Sequence, residues 1–287
     1  MISRFTLFVV LATVCCTTAG CQERRTTAVL KYQISPNERT LAAADMDSLV
    51  IVVNERLGRH GRAKATSNGQ LEVEIFAEHS NTELESLKLR IESLGRLEFR
   101  ILADSRHPDN KTTIEQAKLA PAPQKEVIIS GNKVAEWVEA GKVEVDAKNE
   151  IDDGTVKRQA KGATEILVLM DPYNVTGEYL AAAEEAQDQQ GDPAIQVSFS
   201  REGARRLQRL TSENKPDPAA PVPYRRLGII LDKRVLSAPK IMAPISNGAM
   251  ISGGRISESD VDAIIAIFHA GALPFSIRLV DEQRIPE

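Results

Sequence analysis

Residues 227–274 read LGIILDKRVLSAPKIMAPISNGAMISGGRISESDVDAIIAIFHAGALP, and the rest of the chain is organised around this stretch. The run Leu227–Leu231 is short, apolar and rich in β-branched residues, which predicts a buried strand. Asp232-Lys233 predicts a hairpin turn into a return strand, and the glycines beyond it predict further tight turns. A Ser-x-x-Asp capping pattern at residues 257–260 opens a run with helical spacing. The stretch is therefore predicted to be a β-meander followed by one amphipathic helix.

The bulk composition limits the classes of function. The chain has 287 residues, 42% of them hydrophobic, which is enough for one large core or two modest ones. Its net charge is −4, and no basic run interleaved with aromatic residues stands out. We therefore expect no nucleic-acid partner.

The first 20 residues are predicted to be a signal peptide outside the fold. Arg4 precedes an apolar run, residues 5–14, which is too short for a membrane span of roughly 20 residues. All three cysteines lie at positions 15, 16 and 21, so the body beyond them can hold no disulfide or cysteine-bound metal.

Small residues immediately before Cys21 resemble a bacterial lipobox, in which the cysteine becomes lipidated and begins the mature chain. Thr18 stands where that motif usually has an aliphatic residue, so an ordinary cleaved signal with a chance cysteine is the alternative. We expect Cys21 to anchor the protein to a membrane on the extracytoplasmic side, with residues 21–27 as a linker.

Residues 28–103 are predicted to form a ferredoxin-like base domain. The pattern runs strand, helix, strand, strand, helix, strand, and alternating Leu97, Phe99 and Ile101 supply the last strand. The hairpin between the second and third strands turns at Asn68-Gly69.

The polar, proline-bearing residues 104–125 are predicted to cross into a second α+β unit. Thr176 is expected to cap a helix through Leu180 and Ala183. Trp137 is the only tryptophan, and we expect it to pack inside a domain rather than contact a ligand. The fold class is therefore α+β.

No pattern of catalytic or metal-binding residues is evident. The histidines at positions 60, 79, 107 and 269 have no ligand partner at metal spacing. Glu184-Glu185 and the Asp260/Asp262 pair are read as solvated or capping groups rather than acid–base pairs. We expect no cofactor, no metal and no enzymatic activity.

Three segments together resemble the first periplasmic domain of SecD, a membrane subunit of the bacterial protein-export machinery. They are LEFRILAD, VTGEYLAAAEEAQDQQGDPAIQVSFSREGARRLQRLT and the opening stretch with its AGALP ending. The resemblance implies a ferredoxin-like base, residues 28–103 completed by 272–284, with an inserted head, residues 104–271. It also implies contact with an emerging preprotein and a head that swings. Gly271 and Pro274 would then form a hinge where the chain crosses back.

The sequence also departs from SecD, which has a transmembrane helix before this domain and a membrane bundle after it. A lipoprotein-type signal stands in place of the first helix, and the sequence stops at Glu287. We therefore expect a lipid-anchored module that binds unfolded polypeptide or translocon components. The alternative is an envelope scaffold that docks onto another protein without a role in export. A small-molecule-binding lipoprotein is a third, weaker reading because no segment gathers convergent polar and aromatic residues.

Overall fold

The computed structural model describes residues 25–34, 43–76, 80–141, 154–217, 222–252 and 256–285. The helices are α1 (Ala43–Leu57), α2 (Asn81–Glu92), α3 (Lys111–Leu119), α4 (Arg201–Glu213) and α5 (Glu258–Ala270). The strands are β1 (Thr26–Ile34), β2 (Gly61–Ala65), β3 (Gln70–Phe76), β4 (Leu97–Leu102), β5 (Glu126–Ile129), β6 (Asn132–Glu139), β7 (Lys157–Ala160), β8 (Ala163–Leu169), β9 (Val175–Thr176), β10 (Leu180–Gln187), β11 (Pro193–Phe199), β12 (Leu227–Leu231), β13 (Arg234–Ser237), β14 (Gly248–Ile251) and β15 (Ile277–Arg284). Among these helices, none is long and apolar enough to cross a membrane.

The first sheet has four antiparallel strands in the order β15-β1-β3-β2. Helices α1 and α2 cover it, and their apolar faces form one core with the alternating strand residues. Leu49, Val53 and Leu57 are the buried side chains of α1 in this core. The predicted hairpin at Asn68-Gly69 is present, and Gly69 takes a φ of 72° that suits glycine. We call this unit the small sheet.

One strand expected in the small sheet lies elsewhere. β4 contains the predicted run Leu97–Ile101, but it pairs antiparallel with β12 from Leu227↔Ile101 to Leu231↔Leu97. The outer place next to β1 is filled by β15, with Ala28 opposite Arg284. The expectation that residues up to 103 belong to the first sheet was therefore wrong for β4. Its alternating pattern is the same whichever sheet it joins.

Five strands close into a ring in the order β6-β13-β12-β4-β8, because β8 also pairs with β6. β5 and β7 extend this ring outward from β6 and β8. A compact set of apolar residues fills it, including Leu102, Val138, Ile166, Ile230 and Val235. We call this unit the strand ring. The segment predicted only as a polar crossing, residues 104–125, contains α3, which the sequence analysis missed.

The third sheet has the order β10-β11-β14 and packs with α4 and one face of β4 and β12 in a further core. The helix expected after Thr176 is absent: a single 3-10 turn leads into strand β10. Leu180–Gln187 is rich in Ala and Glu, yet pairing with β11 fixes it as a strand. Helix α4 begins at a side-chain cap, since the hydroxyl of Ser200 accepts a hydrogen bond from the Gly203 N–H.

The opening stretch of the sequence is divided between units. The hairpin at Asp232-Lys233 joins β12 to β13 as predicted, with φ values of 50° and 65° at the turn. β14, however, pairs with β11, so the predicted meander ends after two strands. The Ser257–Asp260 capping box begins α5 as predicted. α5 packs against α1 and α2 on one side and against β10 and β11 on the other.

Candidate functional site

A cleft of about 520 Å³ lies where α2, the β12–β13 hairpin, β6 and α5 meet. We call it the α2–hairpin cleft. Its volume falls in the range of ligand-binding clefts. Its apolar lining consists of Leu89, Leu231, Val235, Leu236, Ile256 and Ile264. Leu89 is 38% exposed, which makes it the most solvent-exposed of these six side chains; the other five are buried or half-buried. The cleft therefore offers an apolar surface to a ligand.

The cations that line this cleft are paired with carboxylates. Lys233 Nζ lies 2.6 Å from Glu98 Oε1 and 3.0 Å from Glu136 Oε2. Burial by itself raises the pKa of Glu98, but the hydrogen bonds and charges of Lys233 and Arg100 lower it below its ordinary value. At the rim, Arg234 pairs with Glu139 at 3.0 Å. Lys125, the third cation of the lining, pairs with Glu165, so the lining that the structure describes offers no unpaired cation to an anionic ligand.

The pairing around Lys233 continues across the strand ring as a chain of alternating charges. It extends in one direction from Glu98 through Arg100 to Asp171, and in the other from Glu136 through Lys133 to Glu126. Arg100 is 5% exposed and also donates to Asn174 at 2.6 Å. A buried cation with this many partners holds its neighbours in register.

Trp137 lines the cleft but is 3% exposed and packs with α3, which confirms the packing role expected from the sequence. The guanidinium of Arg158 lies over its ring, 4.4 Å from the centroid. Arg158 and Lys125 both pair with Glu165. Burial tends to raise the pKa of Glu165, but these two cations lower it below its ordinary value. The tryptophan is thus fixed from both sides.

A second cleft of about 480 Å³ lies on the other side of the α2–β4 connection. Gly95, Leu97, Asn174, Ile267 and Gly271 are among its lining residues. The two clefts are separated by the connection that includes Ser93, Gly95 and Arg96. That connection is bound by the hairpin turn, because Asp232 accepts from the Ser93 hydroxyl at 2.5 Å and from the Arg96 N–H at 2.9 Å.

The carboxylates considered in the sequence analysis do not form a site. The structure places Glu185 of β10 against Asp262 of α5, rather than against its neighbour Glu184, and the hydrogen bond with Asp262 raises the pKa of Glu185. Arg90 lies 3.8 Å from Asp262. Within the described ranges no group of three or more metal-ligating side chains occurs. Their arrangement gives no acid–base pair in a cleft.

The predicted hinge residues Gly271 and Pro274 do not line the α2–hairpin cleft. Cys21 is outside the described residues. Gly271 caps α5 with a φ of 82°, and the N–H of Leu273 donates to Leu94 O at 2.8 Å. Pro274 follows directly. Of the cleft residues, Trp137, the Asp232-Lys233 turn and Asp260 were noted from the sequence, but none of them was assigned to a ligand site. A signal was available in Leu89, an apolar residue that lies off the buried face of α2 formed by Leu84, Leu87 and Ile91.

Part of the cleft lining, from Leu231 to Ile264, lies within a region that matches a known family, while α2 and β6 lie outside that region. Residues 154–275 match the family model described as SecDF, P1 head subdomain. The protein translocase subunit SecD of Rhodobacter capsulatus is 34% identical over 111 residues, which cover 39% of this chain and 19% of the relative. The subunit SecDF of Thermus thermophilus is 30% identical over 116 residues, covering 40% and 15% respectively.

Two solved structures share the fold. One, of a membrane component SecDF that enhances protein export, has a TM-score of 0.54 and 21% identity, covering 90% of this chain and all of the other. SecDF in its super-membrane-facing form has a TM-score of 0.56 and 20% identity, covering 89% of this chain and 30% of the other.

The chain has mixed α and β structure, and its fold is similar to that of SecDF periplasmic domains. Residues 154–275 are specifically similar to the P1 head subdomain of SecDF, a likeness that agrees with the resemblance to SecD noted in the sequence. The SecD and SecDF proteins are accessory subunits of protein translocation and not enzymes. The aligned part is less than a third of these relatives' own length.

Proposed function

We propose that this protein is a lipid-anchored, SecD-like module that binds unfolded or translocating polypeptide outside the cytoplasmic membrane and assists its export. Relationship to SecD and SecDF supports a role in protein export. The observation that carries the proposal is the α2–hairpin cleft, whose apolar lining is exposed at Leu89 while its lining cations are paired with carboxylates. An extended segment with apolar side chains suits such a surface.

The proposed architecture is a base with an inserted head. The strand order β15-β1-β3-β2 with two covering helices is that of a ferredoxin-like sheet in which β15 takes the place of the fourth strand. β4 belongs to the strand ring, so we place the first boundary of the base before residue 97 rather than at 103. The head then runs from residue 97 to about 271, and 272–284 complete the base.

The anchor is proposed to be lipid attached to Cys21, with the body on the extracytoplasmic side. Two or more acyl chains give stable attachment, because each buried methylene contributes about 0.8 kcal/mol. Metabolic labelling with a fatty acid is expected to mark the wild-type chain, while Cys21→Ser carries no label and leaves the membrane fraction. Labelled Cys21→Ser protein, or an unlabelled wild type, would contradict the anchor.

Site-specific photo-crosslinking tests the polypeptide-binding function. A photoreactive amino acid replaces Leu89 in the cleft or, as a matched control, Ile51, which is 58% exposed on α1 and does not line the cleft. In cells exporting a labelled secretory precursor, position 89 is expected to crosslink to that precursor and position 51 is not. Equal labelling from both positions would refute binding in the cleft.

The same experiment distinguishes polypeptide binding from the alternative, a docking scaffold without a role in export. A scaffold is expected to crosslink from either position to a folded envelope protein, and recovery of the intact protein need not bring the translocon with it. Recovery of translocon components together with precursor crosslinks at position 89 supports the export role.

A further inference from the structure

The side chain of Arg56 is enclosed at the point where three helices end. It belongs to the last turn of α1 and is 1% exposed. Its Nη1 donates to the Arg90 carbonyl at 2.9 Å and to the Ser93 carbonyl, both at the end of α2. Its Nη2 donates to the carbonyl of Gly271, the C-terminal cap of α5, at 2.5 Å.

These partners explain why a cation is held in the interior. The last carbonyls of a helix have no partner within the helix, and the C-terminal end carries partial negative charge. Three helix ends converge on one guanidinium, whose planar fork reaches several acceptors at once. Asp232 adds a favourable charge from the hairpin turn, although burial remains the larger influence and lowers the pKa of Arg56 to about 10.

The surroundings of Arg56 leave no room for another side chain. A Cβ on Gly95 would lie 2.7 Å from Arg56 Nη2 and 3.2 Å from the Gly271 carbonyl oxygen. Gly95 also has a φ of 75°. The connection after α2 is therefore pressed directly against the guanidinium, and Asp232 secures its outer side through the Gly95 and Arg96 N–H groups.

The helices joined by Arg56 form walls of the α2–hairpin cleft. α2 contributes Leu89 and Glu92, while α5 contributes Asp260 and Ile264. Arg56 is not among the cleft residues, and none of α1 is. It binds the carbonyl of Ser93 beside this cleft and that of Gly271 beside the second one. The guanidinium thus lies behind both clefts.

We propose that Arg56 is a positioning residue that sets the separation of α2 from α5, and with it the width of the polypeptide-binding cleft, without touching the polypeptide. This inference rests on the proposed function for its binding consequence but not for its geometric one. If Arg56 only stabilised the fold, replacing it would lower the free energy of unfolding but would leave the helix separation and the affinity of the folded protein unchanged.

The separation can be measured by pulsed electron resonance between two spin labels. The full chain is used with its three native cysteines changed to serine, leaving thiols only at Thr82→Cys on α2 and Gln208→Cys on α4, both exposed. Helix α4 packs in the same core as Val261 and Ile264 of α5. The distance between the two labels therefore changes when α2 moves relative to the unit that contains α4 and α5. Affinity is measured by titration with a reduced, carboxymethylated unfolded polypeptide.

Arg56→Met is expected to shift or broaden the distance distribution and to weaken polypeptide binding about tenfold or more. For Arg56→Lys we expect a distance change and an affinity loss that are smaller than those of Arg56→Met, because one ammonium group cannot bond all the carbonyls that the planar guanidinium reaches. Arg225→Met is the matched control: it removes another largely buried arginine, which pairs with Asp109 and lines neither cleft, and should lower stability while leaving the distance and the affinity unchanged.

Gly95→Ala is the second variant if Arg56→Met does not fold, because it displaces the guanidinium while keeping its charge. It should also alter the distance. An unchanged distance in folded Arg56 and Gly95 variants would overturn the inference. If the wild type binds no polypeptide, the proposed function is refuted. A changed distance in the variants would then still identify Arg56 as a positioning residue.

Discussion

The hydroxyl of Ser93 donates a 2.5 Å hydrogen bond to the carboxylate of Asp232, and this contact joins the end of α2 to the turn of the β12–β13 hairpin. The same carboxylate accepts from two backbone N–H groups of the following connection. The two residues are 139 positions apart in the chain. One side chain therefore connects the small sheet's helix to the strand ring beside the cleft.

Asp232→Ala is expected to destabilise the protein by about 2–3 kcal/mol, because three donors lose a charged acceptor. Asp232→Asn should lose less, since it keeps an acceptor oxygen and tolerates the positive φ of this turn. Urea unfolding gives the free energies. Asp281→Ala serves as the control: its pair with Lys31 is partly exposed and should contribute about 0–1 kcal/mol. Equal losses for Asp232→Ala and Asp281→Ala would contradict this role.

Acid is expected to weaken the protein partly through Glu165. Its pKa in the folded chain lies below the ordinary value of 4.5, because Lys125 and Arg158 outweigh burial. The resulting stability is present above pH 4.5 and is lost as the pH falls through the folded-state pKa. Glu165→Gln should lower stability at pH 7 and flatten its decline below pH 4.5. The control Glu115→Gln, at an exposed position, should change neither the stability at pH 7 nor its decline in acid. If the stability of Glu165→Gln fell below pH 4.5 as steeply as that of the wild type, Glu165 would not be a source of the acid sensitivity.

Closure of the strand ring is expected to depend on Gly141. A Cβ there would lie 2.3 Å from the Val235 carbonyl oxygen, at a φ of 66°. Gly162 also has a positive φ, 81°, but open space around it. Alanine at either position carries backbone strain of about 1 kcal/mol or more, and only Gly141→Ala adds a clash of about 1–3 kcal/mol. Equal free energies of unfolding for the two variants would show that the close approach is unimportant.

The hinge at Gly271 and Pro274 remains a prediction, and its opening would have to break identified contacts. Swinging there requires release of the Arg56–Gly271 bond and of the hydrogen bond from the Leu273 N–H to Leu94. In native-state hydrogen exchange, a hinge predicts that Leu273 exchanges through an opening of lower free energy than Leu227, whose N–H bonds Pro239 O within the strand ring. Equal protection of the two amides would exclude the hinge.

Local features of this fold were predictable because nearby residues determine them. The Asp232-Lys233 turn, the Asn68-Gly69 hairpin and the Ser257 cap all follow from residues within a few positions. The strands with which β4 and β14 pair could not be predicted in this way. Alternation of apolar and polar residues identifies a strand but does not determine which strand lies next to it. Leu180–Gln187 has the composition of a helix, and only pairing with β11 decides otherwise.

The candidate site was less predictable than the fold, because its residues come from distant segments. Arg56 gives one usable signal: it occupies the same helical face as the buried Leu49 and Val53, where a charged side chain is unexpected. Its partners, however, lie 34, 37 and 215 positions away. Sequence spacing can mark such a residue as unusual but cannot name the helix ends that it joins.

Binding of an unfolded polypeptide to cleft variants tests the central proposal most directly. Titration calorimetry with the reduced, carboxymethylated polypeptide compares Leu89→Glu with Ile51→Glu, which places the same charge at an exposed apolar position outside the cleft. Leu89→Glu is expected to weaken binding about tenfold or more, because an apolar contact of roughly 1.5–3 kcal/mol is lost, while Ile51→Glu stays within about twofold. Equal affinities for both variants and the wild type would contradict binding in the α2–hairpin cleft.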